Sequence, residues 1–295
     1  CRFTRVTGDT EMWKLDFFLL PSCDYQDINE NEACVFGEKV EYLERNEKLY
    51  IPNEFYDISD KNNITASDYL YGKEQNDISD YFLQIISKQK TCTDTYIDIR
   101  ERAEYGYLPI SKSDISEEVE HICVQDIVGA EEEKYIKVND IIQIKRFYLK
   151  RVQDYQIYED RAKDCFPDIV FHSDAFKFVE KLGKCVDIVE ELTRHLTILN
   201  DVGKKLYDYH NKNEKVVLAE LKAGYDIECS GKGSNEEKSY NKNIIYDDEK
   251  YLLTCNPHTK LYKKRTDQRI YFCWGRDEIK SHSIIVVRIG DHWQE

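Results

Sequence analysis

The sequence predicts an α+β protein, with a β-rich N-terminal region followed by helices and a C-terminal antiparallel sheet. Three observations carry this prediction. Short apolar runs dominate before about residue 115, apolar residues recur at intervals of three and four between about residues 131 and 209, and strand-like runs return after Gly224. The change of periodicity near residues 115–130 predicts two domains, residues 1–120 and residues 121–295.

The first 115 residues are expected to form mainly strands. An apolar run at residues 12–20 ends before Pro21, and residues 40–51 (VEYLERNEKLYI) alternate on either side of a turn, which indicates a hairpin. Residues 96–110 alternate again, whereas residues 80–88 are compatible with a short helix. This acidic, aromatic region is either a partner-binding module or a segment that neutralises a basic site in the same chain, like a fused antitoxin.

Helical periodicity then takes over. Residues 136–163 predict a long amphipathic helix that ends before Pro167, Ser173 or Asp174 is a candidate cap for a second helix, and residues 186–209 predict a third. Four strands are expected after Gly224, at residues 244–246, 251–255, 269–274 and 283–289.

The composition limits the possible classes of protein. An apolar fraction of 41% with 13% aromatic residues is typical of a folded globular chain, and no apolar run approaches the roughly 20 residues that cross a bilayer. The ten cysteines are spaced singly, without a CxxC or zinc-ligand pattern, so we expect reduced core thiols and a cytoplasmic location. Because the chain begins at Cys1, we expect it to be processed or incomplete.

The segment from His258 to the C-terminus differs in charge from the rest of the chain. It has eight Lys or Arg against five Asp or Glu, an excess of three positive charges. Because the whole chain has a net charge of −15, residues 1–257 have a net charge of −18. Strand alternation places Arg269 and Tyr271 on one face, and pairing of the last two strands would bring Arg269, Arg288 and His292 to one edge. Such groups can bind a phosphodiester, stabilise a pentavalent transition state and supply an acid; a solvated basic face is the alternative.

The run Arg269-Ile-Tyr-Phe, a turn, and a β-branched strand ending in Ile289-Gly-Asp-His-Trp resemble the C-terminal half of the RelE/YoeB/HigB superfamily of bacterial toxins. The resemblance covers about residues 180–295 and implies helices followed by an antiparallel sheet, binding in the ribosomal A site and cleavage of mRNA. It implies catalytic roles for Arg269, which stabilises the phosphate, and His292, the acid. Trp293 would stack on a base.

The resemblance further implies metal-independent cleavage without a cofactor. We expect the RNA backbone to be positioned by His258, Lys260, Lys263, Lys264, Arg265 and Arg288. Some members of the superfamily use a carboxylate as base, and the acidic residues near this segment are Asp247, Asp248 and Glu249. The expected partners are RNA or the ribosome and a protein antitoxin or phage-defence component, with no membrane.

Two other functions stay open from the sequence. Glu220 and Lys222 follow an apolar run and, on a strand, would share one side, as in Mg²⁺-dependent restriction-like nucleases, with Asp201, Asp208 or Asp226 as a second acid. Alternatively, the C-terminal domain is a non-catalytic protein-interaction module. Nucleotide binding is not expected, because the glycines around Lys232 lack the phosphate-loop pattern, and His195 is expected on a helix face.

Overall fold

The computed structural model describes residues 13–22, 24–73, 75–110, 141–231, 241–246, 249–262, 267–276, 279 and 283–293. Its helices and strands, with both parallel and antiparallel strand pairs, confirm the α+β class. The chain divides into two compact units, one within Trp13–Lys145 and the other within Arg146–Glu295. The boundary predicted near residues 115–130 lies within residues 111–140, which are outside the described residues, whereas the observed division lies inside the helix Ile141–Leu149.

The first unit contains a parallel sheet rather than hairpins. Its strands are β1 (Asp16–Leu20), β2 (Lys48–Ile51), β3 (Lys90–Thr91) and β4 (Gly106–Pro109), in the order β3-β2-β1-β4. The helices between them are α1 (Glu30–Asn46), α2 (Ala66–Tyr71), α3 (Asp77–Ile86) and α4 (Tyr96–Arg100). Parallel strands require crossover connections, which these helices supply. The expectation of a β-rich region is therefore wrong here.

The predicted hairpin at residues 40–51 is the clearest of these errors. Its first half is the end of α1, and only its second half is the strand β2. Helix α1 begins at a capping box, in which Asn29 and Glu32 each accept the other's backbone N–H, and it buries Ala33, Phe36, Val40 and Leu43. The helix predicted at residues 80–88 is confirmed within α3, and residues 96–110 hold α4 and β4.

Strand β1 is buried on both faces, which explains why its sequence does not alternate. The four residues from Phe17 to Leu20 are at most 3% exposed, as expected for the interior strand of a parallel sheet. Its neighbour β4 approaches closely at Gly106, where an added Cβ would lie 2.4 Å from Cε1 of Phe17. Packing against an aromatic ring therefore requires glycine at this position.

The second unit continues from Arg146 in α5 (Ile141–Leu149). Its further helices are α6 (Tyr155–Cys165), α7 (Val189–Ile198), α8 (Lys204–Tyr209) and α9 (Glu214–Tyr225). The sheet comprises β5 (Ile169–Phe171), β6 (Glu228–Ser230), β9 (His258–Lys260), β10 (Arg269–Cys273) and β11 (Ile284–Gly290), and β7 (Asn241–Tyr246) and β8 (Glu249–Thr254) form a separate hairpin. The sheet order is β5-β11-β10-β9-β6, antiparallel except for the parallel pair β5 and β11.

The helices of this unit differ in detail from those predicted. The long helix expected at residues 136–163 is interrupted, because Asp154 caps a new helix by accepting the N–H groups of Gln156 and Ile157. Short turns follow β5 in place of the second helix. The third predicted helix is present as α7 and α8, joined by a wider helical turn at Leu199–Gly203.

Helices and hairpin cover opposite faces of this sheet. On one face, α7 contacts β9 through His195 and Thr259, and Gly203 lies against Ile284. On the other face, the hairpin contributes Ile244 and Leu253 to a cluster of apolar side chains that includes Tyr271, Val287 and Trp293. None of the described helices is long and apolar enough to span a membrane.

Candidate nucleic-acid interface

The register of the C-terminal sheet aligns polar side chains from four strands. Ser230 lies opposite His258, His258 opposite Tyr271, and Tyr271 opposite Arg288. A second row, two residues along each strand, holds Glu228, Lys260, Arg269 and Gly290. Residues two apart on a strand share a face, so the side chains of both rows lie on the face that also carries the hairpin. We call this the charged face, comprising Glu228, Ser230, His258, Lys260, Arg269, Tyr271 and Arg288.

The pairing of the last two strands agrees with the sequence-based expectation. Strands β10 and β11 are antiparallel, and their register shifts between Tyr271 and Phe272. Tyr271 is opposite Arg288, whereas Phe272 is opposite Val286. This bulge adds one residue to β11, a device common beside functional sites because it redirects side chains.

Arg269 is the most unusual residue of the charged face. It is only 9% exposed, yet its Nε and Nη1 atoms have no hydrogen-bond partner among the described residues. A buried donor left without a partner costs about 1–3 kcal/mol, and more when the group is charged. Both atoms are shielded from solvent, and they lie on different edges of the guanidinium. An anion could therefore accept from either of them only together with Nη2, and only after neighbouring side chains moved.

The neighbour of Arg269 on β11 contributes no side chain. Gly290 lies opposite Arg269, and a Cβ added there would be 2.8 Å from Cβ and 2.9 Å from the carbonyl oxygen of Phe178. Any larger residue would therefore push against backbone as well as side chain. On its other side, Arg269 faces Lys260, which is partly exposed.

Arg288, predicted to position the RNA backbone, is largely engaged within the protein. Its guanidinium lies 3.8 Å from the ring centre of Phe178, and Nη2 donates to Asp291 at 2.6 Å. Lys181 also donates to Asp291, at 3.2 Å. Burial raises the pKa of Asp291, but these two cations outweigh it and lower the pKa, so the carboxylate stays ionised beside Arg288.

His258 makes hydrogen bonds through both ring nitrogens. Its Nε2 is 2.8 Å from Oγ of Ser230, and its Nδ1 is 3.0 Å from the carbonyl oxygen of Asn256. A carbonyl only accepts, so Nδ1 carries a proton, and in the neutral imidazole Nε2 accepts from the serine hydroxyl. The ring also lies 5.1 Å from that of Tyr271.

Trp293, predicted to stack on a base, is 7% exposed and packs against the sheet. Its backbone N–H donates to Oη of Tyr271 at 3.0 Å, and the two rings meet edge to face at 5.4 Å. Lys242 lies over the Trp293 ring at 5.4 Å. These contacts disfavour base stacking by Trp293 and make it an anchor for the chain after β11.

The remaining predicted site residues are His292, Lys263, Lys264 and Arg265. His292 is partly exposed and follows β11 directly after Asp291, two residues beyond the Gly290 that faces Arg269. Lys263, Lys264 and Arg265 lie outside the described residues.

The geometry overturns the restriction-like arrangement of Glu220 and Lys222. Both residues lie on the helix α9, where positions two apart point to nearly opposite sides instead of sharing a face. Glu220 contacts Nε2 of His210 at 2.5 Å, and Lys222 pairs with Glu228 at 2.9 Å. No group of three or more His, Cys, Asp or Glu side chains suited to a metal ion occurs within the described part of the chain.

The opposite face of the sheet holds a series of hydrogen-bonded polar side chains that the sequence did not reveal. Nδ1 of His195 is 2.8 Å from Oγ1 of Thr259, Nε2 is 3.0 Å from Glu191, and Arg194 donates to both oxygens of Glu191 at 2.9 and 3.0 Å. Burial lowers the pKa of His195 and so favours its neutral form. Burial raises the pKa of Glu191, but hydrogen bonds from His195 and Arg194 outweigh it and hold that pKa well below its usual value.

This series of hydrogen bonds holds α7 on the sheet. A substrate cannot reach it at Thr259 and His195, because both residues are fully buried. The spacing of four between Glu191 and His195 is visible in the sequence, whereas the pairing with Thr259 depends on tertiary contact. The pairing of Ser230 with His258 likewise depends on strand register. Comparison with known proteins finds no matching family model, no matching curated protein and no matching solved structure.

Proposed function

We propose that the charged face binds the backbone of RNA and cleaves it as a RelE-like, metal-independent endoribonuclease. The observation that carries this proposal is Arg269, a buried guanidinium with two N–H groups that have no partner among the described residues. The order of helices followed by antiparallel strands is the arrangement that the resemblance to the toxins implies, and it supports the proposal further.

Each residue has a defined task in this proposal. Arg269 donates to the scissile phosphate and stabilises the negative charge that builds up on its oxygens in the transition state. Lys260, on the neighbouring strand, contacts the phosphate backbone, together with the predicted Lys263, Lys264 and Arg265. His292 protonates the leaving oxygen. Arg288 and Trp293 act indirectly, by holding the segment that contains His292.

The test is cleavage of labelled mRNA by the purified full chain with EDTA present, both free in solution and on translating ribosomes. Arg269→Ala should lower the cleavage rate by about 10²–10³-fold, the range found when one donor to a transition-state oxyanion is removed. Arg151→Ala is the matched control, because Arg151 is an exposed arginine of the same unit that lies over Phe147. Equal cleavage by the wild type, Arg269→Ala and His292→Ala would refute the assignment.

In the proposed biological role, the protein is a toxin or phage-defence component that acts on cytoplasmic RNA or ribosomes and is bound by a protein antitoxin. Expression in bacteria tests this role. Induction of the wild-type chain should arrest growth, and induction of Arg269→Ala should not. Binding to RNA without cleavage in any condition would instead favour a non-catalytic interaction module.

A further inference from the structure

We propose that Phe178 is the stacking platform for an RNA base next to the phosphate that Arg269 binds. This inference rests on the proposed function and deepens it, because it names the side chain that holds the nucleotide in place. The resemblance to the toxins implied that Trp293 has this task, but Tyr271 and Lys242 hold Trp293 against the sheet. Phe178 lies on the same face of the sheet, and the sequence did not point to it.

The register of β10 and β11 places Phe178 beside Arg269. Gly290 lies directly opposite Arg269, and directly opposed residues of an antiparallel pair have Cα atoms about 5 Å apart. A Cβ added to Gly290 would point to the charged face and would lie 2.8 Å from Cβ of Phe178. The absence of a side chain at Gly290 therefore leaves room for Phe178 next to Arg269.

The segment that contains Phe178 is fixed to the sheet through its backbone. After β5, the N–H of His172 donates to the carbonyl oxygen of Val286 at 2.9 Å, and the carbonyl oxygen of Ala175 accepts the N–H of Ile289 at 2.7 Å. Both bonds join this segment to β11, the strand that also contains Gly290. The backbone beside Phe178 is therefore in position before RNA binds, so that stacking requires little further ordering of the protein.

The ring of Phe178 combines an aromatic surface with positive charge. The guanidinium of Arg288 covers one face, 3.8 Å from the ring centre, and Asp291 accepts a hydrogen bond from that guanidinium. The ammonium groups of Lys177 and Lys181 lie 5.6 and 5.4 Å from the ring centre, on exposed side chains. Phe178 is only partly buried, and exposed lysine side chains change rotamer readily, so the ring surface away from Arg288 can receive a base.

An aromatic ring among cations matches the chemistry of single-stranded nucleic acid. Proteins that bind single strands stack bases on aromatic side chains and contact the backbone with positive charge. This stacking tolerates any base, because every base has a π-face. Lys177 and Lys181 are placed to contact phosphates near a base that stacks on Phe178, while Arg269 contacts the scissile phosphate. The base and the phosphate would then fix the nucleotide at two points.

The experiment measures binding of the full chain to a short single-stranded RNA whose 2′-O-methyl sugars prevent attack by the 2′-hydroxyl. One position at a time carries 2-aminopurine, a base whose fluorescence changes when it stacks on an aromatic ring. The wild type should change the fluorescence at one position. Phe178→Leu should abolish that change and weaken binding by about 5–150-fold, the range expected for loss of one base–aromatic stack. Phe178→Tyr keeps a ring and should retain both the fluorescence change and the affinity.

Phe147→Leu is the matched control. Phe147 is a partly buried phenylalanine of the same unit with an arginine over its ring, Arg151 at 3.4 Å, but it lies on α5 and not on the sheet. This variant should bind as the wild type does. A second RNA with an abasic nucleotide at the responding position separates stacking from packing. The wild type and Phe178→Leu should bind this RNA equally, because the stack is already lost without the base.

Two results would overturn the inference and leave the proposed function standing. In the first, the wild type cleaves unmodified RNA in a manner that depends on Arg269, and Phe178→Leu binds and responds as the wild type does. In the second, Phe178→Leu weakens binding to the intact and the abasic RNA by the same factor, so the ring acts only by packing against Arg288. If the wild type neither cleaves nor binds RNA, the inference and the proposed function both fail.

Discussion

The buried ion pair between Lys145 and Glu47 allows a quantitative test of the first unit. The Lys145 side chain is 6% exposed and the Glu47 side chain 0%, with 2.5 Å between Nζ and Oε1. Glu47 also accepts the N–H of Leu15 at 2.7 Å, and Lys145 donates to the carbonyl of Trp13 at 2.9 Å. The pair therefore ties Lys145, the last residue of the first unit, and Glu47, the residue before β2, to the chain that leads into β1.

Lys145→Met keeps most of the side-chain volume and removes the charge, which leaves the Glu47 carboxylate buried without its cation. Removal of one partner from a buried pair costs about 3–5 kcal/mol, a large share of the roughly 5–15 kcal/mol that stabilises a typical domain. Lys48→Met is the control. Lys48 is 55% exposed and 3.7 Å from Asp16, so the expected loss is below about 1 kcal/mol.

The free energy of unfolding of this unit can be measured by urea titration of the full chain, with pulsed hydrogen exchange reading the peptide that contains β1. The double variant Lys145→Met, Glu47→Gln should be more stable than Lys145→Met alone, because it has no buried lone charge. A loss below about 1 kcal/mol for Lys145→Met, or simple additivity of the two changes, would refute this account of the pair.

Three further predictions concern the second unit. The pKa of Glu191 in the folded protein is lowered below its ordinary 4.5. The ionised carboxylate therefore stabilises the fold fully above pH 4.5, and this stabilisation is lost as the pH falls toward the pKa of the folded state. The difference in Tm between the wild type and Glu191→Gln should shrink on acidification. Burial raises the pKa of Cys229 to about 12, so iodoacetamide at pH 7.5 should modify the exposed Cys34 of the first unit well before Cys229, as read by peptide mass spectrometry; equal rates would contradict the placement of β6. The logarithm of the RNA association constant should fall by about 0.7 per phosphate contact for each tenfold rise in salt concentration. In fluorescence anisotropy, Arg269→Ala should make this slope shallower by about one contact. An unchanged slope would place the phosphate elsewhere.

The first unit illustrates what periodicity can and cannot predict. Residues 40–51 fit a two-residue alternation about as well as a helical repeat, so the pattern alone favoured a hairpin. The decisive signal lay ten residues earlier, in the Asn-x-x-Glu capping box at Asn29 and Glu32. The buried parallel strand β1 shows no alternation at all, because both of its faces lie in the core.

The candidate site was predictable to the extent that it depends on local alternation. The shared face of Arg269 and Tyr271 and the pairing of β10 with β11 follow from strand patterns near the C-terminus. The contact between Ser230 and His258 joins residues 28 apart and depends on the register of β6 with β9. The burial of Trp293 depends on the hairpin and on Tyr271, and a list of residue types does not contain that information.

Net charge is a poor guide to whether this acidic chain can bind an anion. At physiological ionic strength the Debye length is about 8 Å, so most of the −15 charge acts weakly at the charged face, and the nearest charges decide. Two carboxylates at or beside this face already have cations: Glu228 pairs with Lys222, and Asp291 with Arg288 and Lys181. Arg269 forms no ion pair among the described residues, although it is more buried than most arginines in proteins. The proposed phosphate contact therefore depends on Arg269, because an anion interacts more strongly with a cation in a buried site than with one in water.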